Sequence, residues 1–286
     1  MDYNQLYNNI LRKGSFLCTG LDSDPSLFPE HILQLEHPIF EFNKAIIDAT
    51  KDFSVAYKPN LAFYEAEGAT GWRELEMTVN YIREIDPSLF IIADAKRGDI
   101  GNTAKRYASA FYDRMSFDAV TIAPYMGRDS VDPFLQYKDR WAVILALTSN
   151  PSAENFEMIS IQKDGSKDGE RPLYREVIEQ AMEWGSKNNT MFVVGATRPE
   201  KLAEIREYCP DHFLLVPGVG TQGGTIADVV KYGINSHCGL LVNVSRAISF
   251  AWKEDKTGLY PNGLDFEKAA AITAGEIARE MKKYLL

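Results

Sequence analysis

Residues 89–99 read Leu89-Phe90-Ile91-Ile92-Ala93-Asp94-Ala95-Lys96-Arg97-Gly98-Asp99, an apolar run that breaks into a dense array of acids and bases. A short apolar run bounded by polar residues marks a strand buried on both faces. Ala104 to Met115 follows with helical spacing, so the stretch reads as one strand–loop–helix unit. The unit repeats outward in both directions. Strand-like runs occur at Phe16–Thr19, Phe53–Tyr57, Leu89–Ala93, Asp118–Ala123, Trp141–Leu147, Thr190–Val194, Phe213–Val216 and Gly239–Val244. Helical segments between them include Arg73–Ile85, Leu173–Lys187, Pro199–Tyr208, Ile226–Tyr232 and Asp265–Tyr284. Such alternation through the whole chain implies parallel pairing by right-handed crossovers. The expected fold is α/β, a (β/α)8 (TIM) barrel forming a single domain over residues 1–286. An open doubly wound sheet is the alternative. The spacing is even except after the fifth run, where residues 148–171 form a long polar loop insertion, a lid or a passive excursion.

Composition narrows the function. With 286 residues, 45% hydrophobic and 25% charged, the chain is globular, which excludes disorder and collagen-like repeats. Its 31 basic and 40 acidic side chains leave a net charge of −9, so nucleic acid is not an expected partner, although one basic pocket suffices for a small anion. Cys18, Cys209 and Cys238 are too few and too scattered for a disulfide framework, which points to a reducing cytoplasm. No apolar run reaches membrane-spanning length. The start, Met1-Asp2-Tyr3-Asn4-Gln5, lacks the regions of a signal peptide. A cytoplasmic protein that binds no membrane is expected.

In a barrel the working residues sit where strands end and βα loops begin. The third such exit is the most informative. Asp94 and Lys96 stand two apart on a strand end and point to one side, with Asp99 three residues beyond. An ammonium held between carboxylates keeps its proton and can deliver it to a carbanion formed beside it; the plainer reading is a charged cap on the following helix. Lys58 closes the second run ahead of Pro59 and has Asp94 on the adjacent strand as its natural partner; a lysine snorkelling at the rim is the alternative. The seventh exit, Pro217-Gly218-Val219-Gly220-Thr221-Gln222-Gly223-Gly224, and Arg246 after the eighth run look like a phosphate site. Glycines admit an anion to the backbone, a helix N-terminus follows, and a guanidinium adds a bidentate contact.

Other constellations fall short. Cys209, His212, His237 and Cys238 could supply four zinc ligands by count, but their spacing matches no finger or ribbon. No metal is expected there.

The phrase Asp94-Ala95-Lys96-Arg97-Gly98-Asp99-Ile100-Gly101-Asn102-Thr103 resembles the signature of the orotidine 5′-phosphate decarboxylases, in their longer-chain second group. The likeness extends over essentially the whole chain, through Gly20-Leu21-Asp22, Lys58, the 217–224 loop and Arg246. It implies a homodimeric (β/α)8 enzyme of pyrimidine biosynthesis that converts orotidine 5′-phosphate to UMP and CO2 without metal or cofactor. Carried over by position, it makes Lys96 the proton donor to C6 and places Lys58, Asp94 and Asp99 in the charged network. Asp99 and Thr103 would reach the neighbouring subunit's site. Asp22 would bind the ribose, Gln222 and Arg246 the phosphate, and Ile100 and Pro217 join the substrate-binding set. Ser149 would contact the base, chosen over Thr148 only by its distance from Pro151. A sister group of sugar-phosphate decarboxylases and synthases shares the Asp-x-Lys-x-x-Asp core but holds Mg2+; Lys58 stands where those enzymes are expected to carry an acid. A non-catalytic nucleotide sensor on the same scaffold is the rival from another class.

Overall fold

The computed structural model describes residues 1–162, 169–220 and 223–285. Eight parallel strands follow one another around a closed barrel: β1 (Leu17–Leu21), β2 (Ser54–Pro59), β3 (Phe90–Arg97), β4 (Ala119–Ile122), β5 (Trp141–Leu147), β6 (Thr190–Val194), β7 (Phe213–Pro217) and β8 (Leu240–Val244). The last strand pairs with the first, Val242 opposite Leu17, which closes the sheet and removes the open-sheet alternative. The strands are buried almost throughout, as β-branched and apolar runs under a coat of helices must be.

The outer helices show why they pack there. In Gly68–Ile85 the side chains of Leu75, Val79 and Ile82 recur at helical spacing, and all three are buried. Tyr3–Lys13, ahead of the first strand, opens on a capping box between Asp2 and Gln5, with bonds of 2.8 and 2.9 Å. It closes on Gly14 at φ 60°. Its Tyr3 ring lies 5.0 Å from Phe213 at the start of β7, so this helix covers the N-terminal mouth of the barrel. The segment expected to be helical over 104–115 is a helix at Gly101–Ser109 that widens into a π-turn at Ala110–Arg114.

β3 departs most from expectation. The sequence reading ends the strand at Ala93, where charge begins, but the strand continues through Arg97. There the step from Ala93 to Arg97 faces only the step from Val120 to Ile122 on β4, a bulge that re-aims the side chains between. Lys96 sits within it at φ 45°, a conformation a non-glycine residue adopts only when its surroundings hold it there.

The insertion after β5 is partly ordered into elements. A 3₁₀ turn, Pro151–Asn155, leads to an antiparallel hairpin of Ser160–Gln162 with Glu170–Pro172. The helix Leu173–Trp184 then returns the chain to the barrel. Residues 163–168 of the polar cluster lie outside the described residues. Among the described residues no helix is long and apolar enough to cross a membrane.

At the N-terminal end of the barrel, Asp118 is 3% exposed and gathers several partners. Arg83 approaches its Oδ2 at 2.5 Å, the Ile91 amide donates to it at 2.9 Å, and Arg140 lies 3.5 Å from Oδ1. This end carries stability rather than chemistry. Replacing Asp118 with Ala strands buried donors and a cation, so we expect a loss of about 3 kcal/mol. Urea denaturation of Asp118→Ala checks it; a change within experimental error of zero would show that the network contributes nothing net.

Candidate active site

Closing the barrel brings the C-terminal parts of all eight strands around one cavity of about 290 Å3. Its floor is ionic. Lys58 Nζ donates to Asp94 Oδ2 at 2.7 Å, and Lys96 Nζ donates to Asp94 Oδ1 at 2.6 Å. One carboxylate thus carries two ammonium groups. Lys58 is 4% exposed, whereas the Lys96 side chain is half exposed toward the cavity. Burial opposes charge on both members of the inner pair, but their attraction outweighs it. Lys58 is desolvated, yet Asp94 and then Asp22 hold its pKa above the ordinary lysine value. Asp94 is desolvated too, and Lys58 with Lys96 holds it well below the ordinary carboxylate range.

The bulge in β3 is tied down at this point. Thr121 Oγ1, on β4, accepts the backbone N–H of Lys96 at 2.8 Å and donates to Asp94 Oδ1 at 3.1 Å. One hydroxyl therefore fixes the unusual backbone of the base and orients the acid. Just beyond, Arg97 pairs with Glu65, donates to Ala95 O at 3.0 Å and lies against the ring of Tyr107. These contacts anchor the strand past its irregular segment.

Around this floor the lining changes by sector. Asp22 follows β1 and presents a buried Oδ1 with no partner among the described residues. Leu145, Val193 and Leu215 form an apolar wall from β5, β6 and β7. Thr148 and Ser149 extend from β5, and Pro217 and Gly218 from β7. Arg246, exposed at the mouth, heads the short helix Arg246–Ser249. Gly218, Gly220 and Gly223 all adopt positive φ, the backbone that only a glycine-rich turn takes without strain. Gly20 is required by a close approach: a Cβ there would lie 1.9 Å from Ser245 Oγ.

Most of the residues picked from the sequence converge here. Asp22, Lys58, Asp94, Lys96, Ser149, Pro217 and Arg246 all line the cavity. Asp99, Ile100 and Thr103 do not. Asp99 Oδ1 accepts the Ile100 amide at 2.8 Å, while Ile100 and Thr103 are exposed on the entrance to the helix Gly101–Ser109. Gln222 lies outside the described residues.

This arrangement agrees with what the chain resembles. The model of the orotidine 5′-phosphate decarboxylase / HUMPS family matches residues 15–257. The chain belongs to this family. The orotidine 5′-phosphate decarboxylase of Parabacteroides distasonis is 52% identical over 285 residues, 100% of this chain and 96% of that protein. The enzyme of the same name from Flavobacterium johnsoniae is 50% identical, over 100% of this chain and 98% of its own length. The structure of Leishmania donovani OMP decarboxylase superposes with a TM-score of 0.80 at 31% identity, covering 100% of this chain and 99% of that one.

Within this decarboxylase family member, several lining residues escaped the sequence reading. Thr121 sits mid-strand in an apolar run and carries no signal of its special place. Asn243, 8% exposed in β8, donates to Ser245 Oγ at 3.2 Å and keeps a buried Oδ1 without a partner among the described residues. A polar residue inside a buried strand is the one cue that could have flagged it.

The two pKa directions define a stability window. Asp94, held low when folded, contributes stability that is complete above its unfolded value of about 4 and lost as pH falls below it. Lys58, held high, contributes fully below about pH 10.4 and loses this as pH rises beyond. Urea titrations over roughly pH 2–7 should show wild type losing stability below about pH 4 more steeply than a Lys58→Met/Asp94→Leu double variant. Parallel curves would mean the pair is not linked to folding.

Proposed function

We propose that this chain works through Lys96, which protonates the carbanion left at C6 when orotidine 5′-phosphate loses CO2 in the barrel-top cavity. The overall reaction, orotidine 5′-phosphate to UMP and CO2 in pyrimidine biosynthesis, is that of the carboxy-lyase family to which the chain belongs. The observation that carries the mechanistic reading is the Asp94 carboxylate with an ammonium on each oxygen, at 2.7 and 2.6 Å.

The chemistry needs such a device. Breaking the bond from C6 to the carboxyl carbon leaves an electron pair in the plane of the ring, where no carbonyl delocalises it. The barrier falls by fixed charge placed where negative charge develops. Lys96 supplies the charge, is half exposed to the cavity, and then gives its proton to C6. Lys58 and Thr121 hold Asp94, and Asp94 holds Lys96, so the donor is in position before substrate arrives. Asp22 serves the ribose, Ser149 the base, and Gln222 with Arg246 the phosphate. Pro217 shapes the wall beside it. Binding energy gathered at the phosphate is directed to the transition state at the distant ring.

Asp99, Ile100 and Thr103 lie outside their own chain's cavity, which supports a homodimer in which each protomer lends Asp99 and Thr103 to its partner's site. The enzyme is read as one (β/α)8 domain over residues 1–286, cytoplasmic, working without metal or organic cofactor. Lys58 bears on the metal question directly: an ammonium already occupies the acid that a divalent cation would need.

With EDTA present, purified protein should consume orotidine 5′-phosphate absorbance and yield UMP and CO2. In Lys96→Ala, kcat/KM should drop by about 10³-fold or more while UMP affinity changes less than about threefold. Equal loss of both would make the lysine structural. Mixing inactive Lys96→Ala with inactive Asp99→Ala protein should restore about a quarter of wild-type sites, because half the dimers then hold one intact site. No recovery after verified subunit exchange would sink the shared site.

A further inference from the structure

Thr148 and Ser149 both reach the cavity from the end of β5, and their hydroxyls are not equivalent. Glu157, nine residues into the insertion, reaches back to the first of them. Its Oε2 accepts the Thr148 backbone N–H at 2.7 Å, and its two oxygens lie 2.8 and 3.1 Å from Thr148 Oγ1. Asn150 Oδ1 lies 2.6 Å from the same hydroxyl. A hydroxyl has one proton to donate. With three acceptor oxygens around it, Thr148 has no donor left for a ligand. The Ser149 hydroxyl has no partner among the described residues.

Glu157 is itself braced. Its carbonyl accepts the Tyr174 amide at 2.9 Å, and Leu173 N donates to Ile159 O at 2.9 Å. The two ends of the insertion are therefore stitched together where the helix Leu173–Trp184 begins. Ser149 is held from the other side as well. Thr197 Oγ1 donates to its carbonyl at 3.3 Å, and a Cβ on Gly195 would stand 2.7 Å from Ser149 Cα.

We infer that Glu157 is a positioning residue for base recognition: by engaging Thr148 it leaves Ser149 as the hydroxyl that meets the pyrimidine, and so ties the insertion to substrate selection. This rests on the reading above that Ser149 faces the base of orotidine 5′-phosphate.

The test compares two ligands that share a phosphate and a ribose but differ in the base, UMP and ribose 5-phosphate, by calorimetric titration of the whole protein. In Glu157→Ala, UMP affinity should fall about tenfold, the loss of one hydrogen bond to a neutral group, while ribose 5-phosphate binds unchanged. Glu157→Gln, which can still accept the Thr148 amide hydrogen, should recover most of that loss. In a Ser149→Ala background, Glu157→Ala should have no further effect on UMP. Equal weakening of both ligands, additive losses in the double variant, or wild-type UMP affinity in Glu157→Ala would each overturn the assignment. Turnover of orotidine 5′-phosphate by wild type, measured alongside, separates this outcome from failure of the functional reading: an active wild type with an unaffected Glu157→Ala rejects only the role of Glu157. A melting temperature for each variant identifies any that fail to fold, and Gly195→Ala, which crowds Ser149 without touching Glu157, then provides the second route to the same loss of UMP selectivity.

Discussion

Everything at the top of this barrel depends on the carboxylate of Asp94 being shared by two ammonium groups. A buried lysine is tolerated only with a close counter-charge, and a buried carboxylate only with donors on its oxygens. Lys58 and Asp94 meet both conditions for each other because β2 and β3 are neighbours. The second oxygen of Asp94 then turns to the cavity and holds Lys96. Remove the carboxylate and two like charges face each other with nothing between them. The pair is therefore both the reason the floor can be polar and the reason the Lys96 ammonium is fixed.

Keeping that arrangement requires β3 to be irregular. Along a regular strand Asp94 and Lys96 share a side, but the bulge opposite Val120–Ile122 adjusts their height, and Lys96 takes up a left-handed backbone. Thr121 compensates by accepting the Lys96 amide. The opposite end of the same barrel shows what a site without chemistry looks like. Asp118 is also a buried carboxylate with cationic partners, yet it is enclosed beneath the sheet and ties Arg83 and Arg140 to the start of β3 and β4. Both are buried acids with cationic partners; only the one beside an open cavity is available to a substrate.

The β5 loop adds a further layer. Its first residues line the cavity, and its later part returns a carboxylate to them. The lining at this sector thus depends on chain that is nine residues away in sequence and adjacent in space. Thr148 and Ser149 were equivalent candidates on residue type alone, since both are hydroxyls on one strand exit. The difference between them lies in the contact from Glu157, which is part of a polar insertion whose path no periodicity describes.

Strand and helix periods, read locally, determined the eight-fold alternation, because burial on both faces demands apolar runs and crossovers demand amphipathic helices. They also picked out residues that the fold brings to one cavity. Asp94 and Lys96 close a buried strand, Lys58 closes its neighbour, and charge in such places is too costly to be incidental. Strand limits set by hydrophobicity failed just there: β3 runs on through its charged residues, since ladder bonds continue where polarity has already changed. The bulge, the service of Thr121 and the contact that Glu157 makes with Thr148 but not with Ser149 were decided by tertiary structure alone. Each depends on which backbone lies beside which, a pairing set by the whole barrel rather than by any window of sequence.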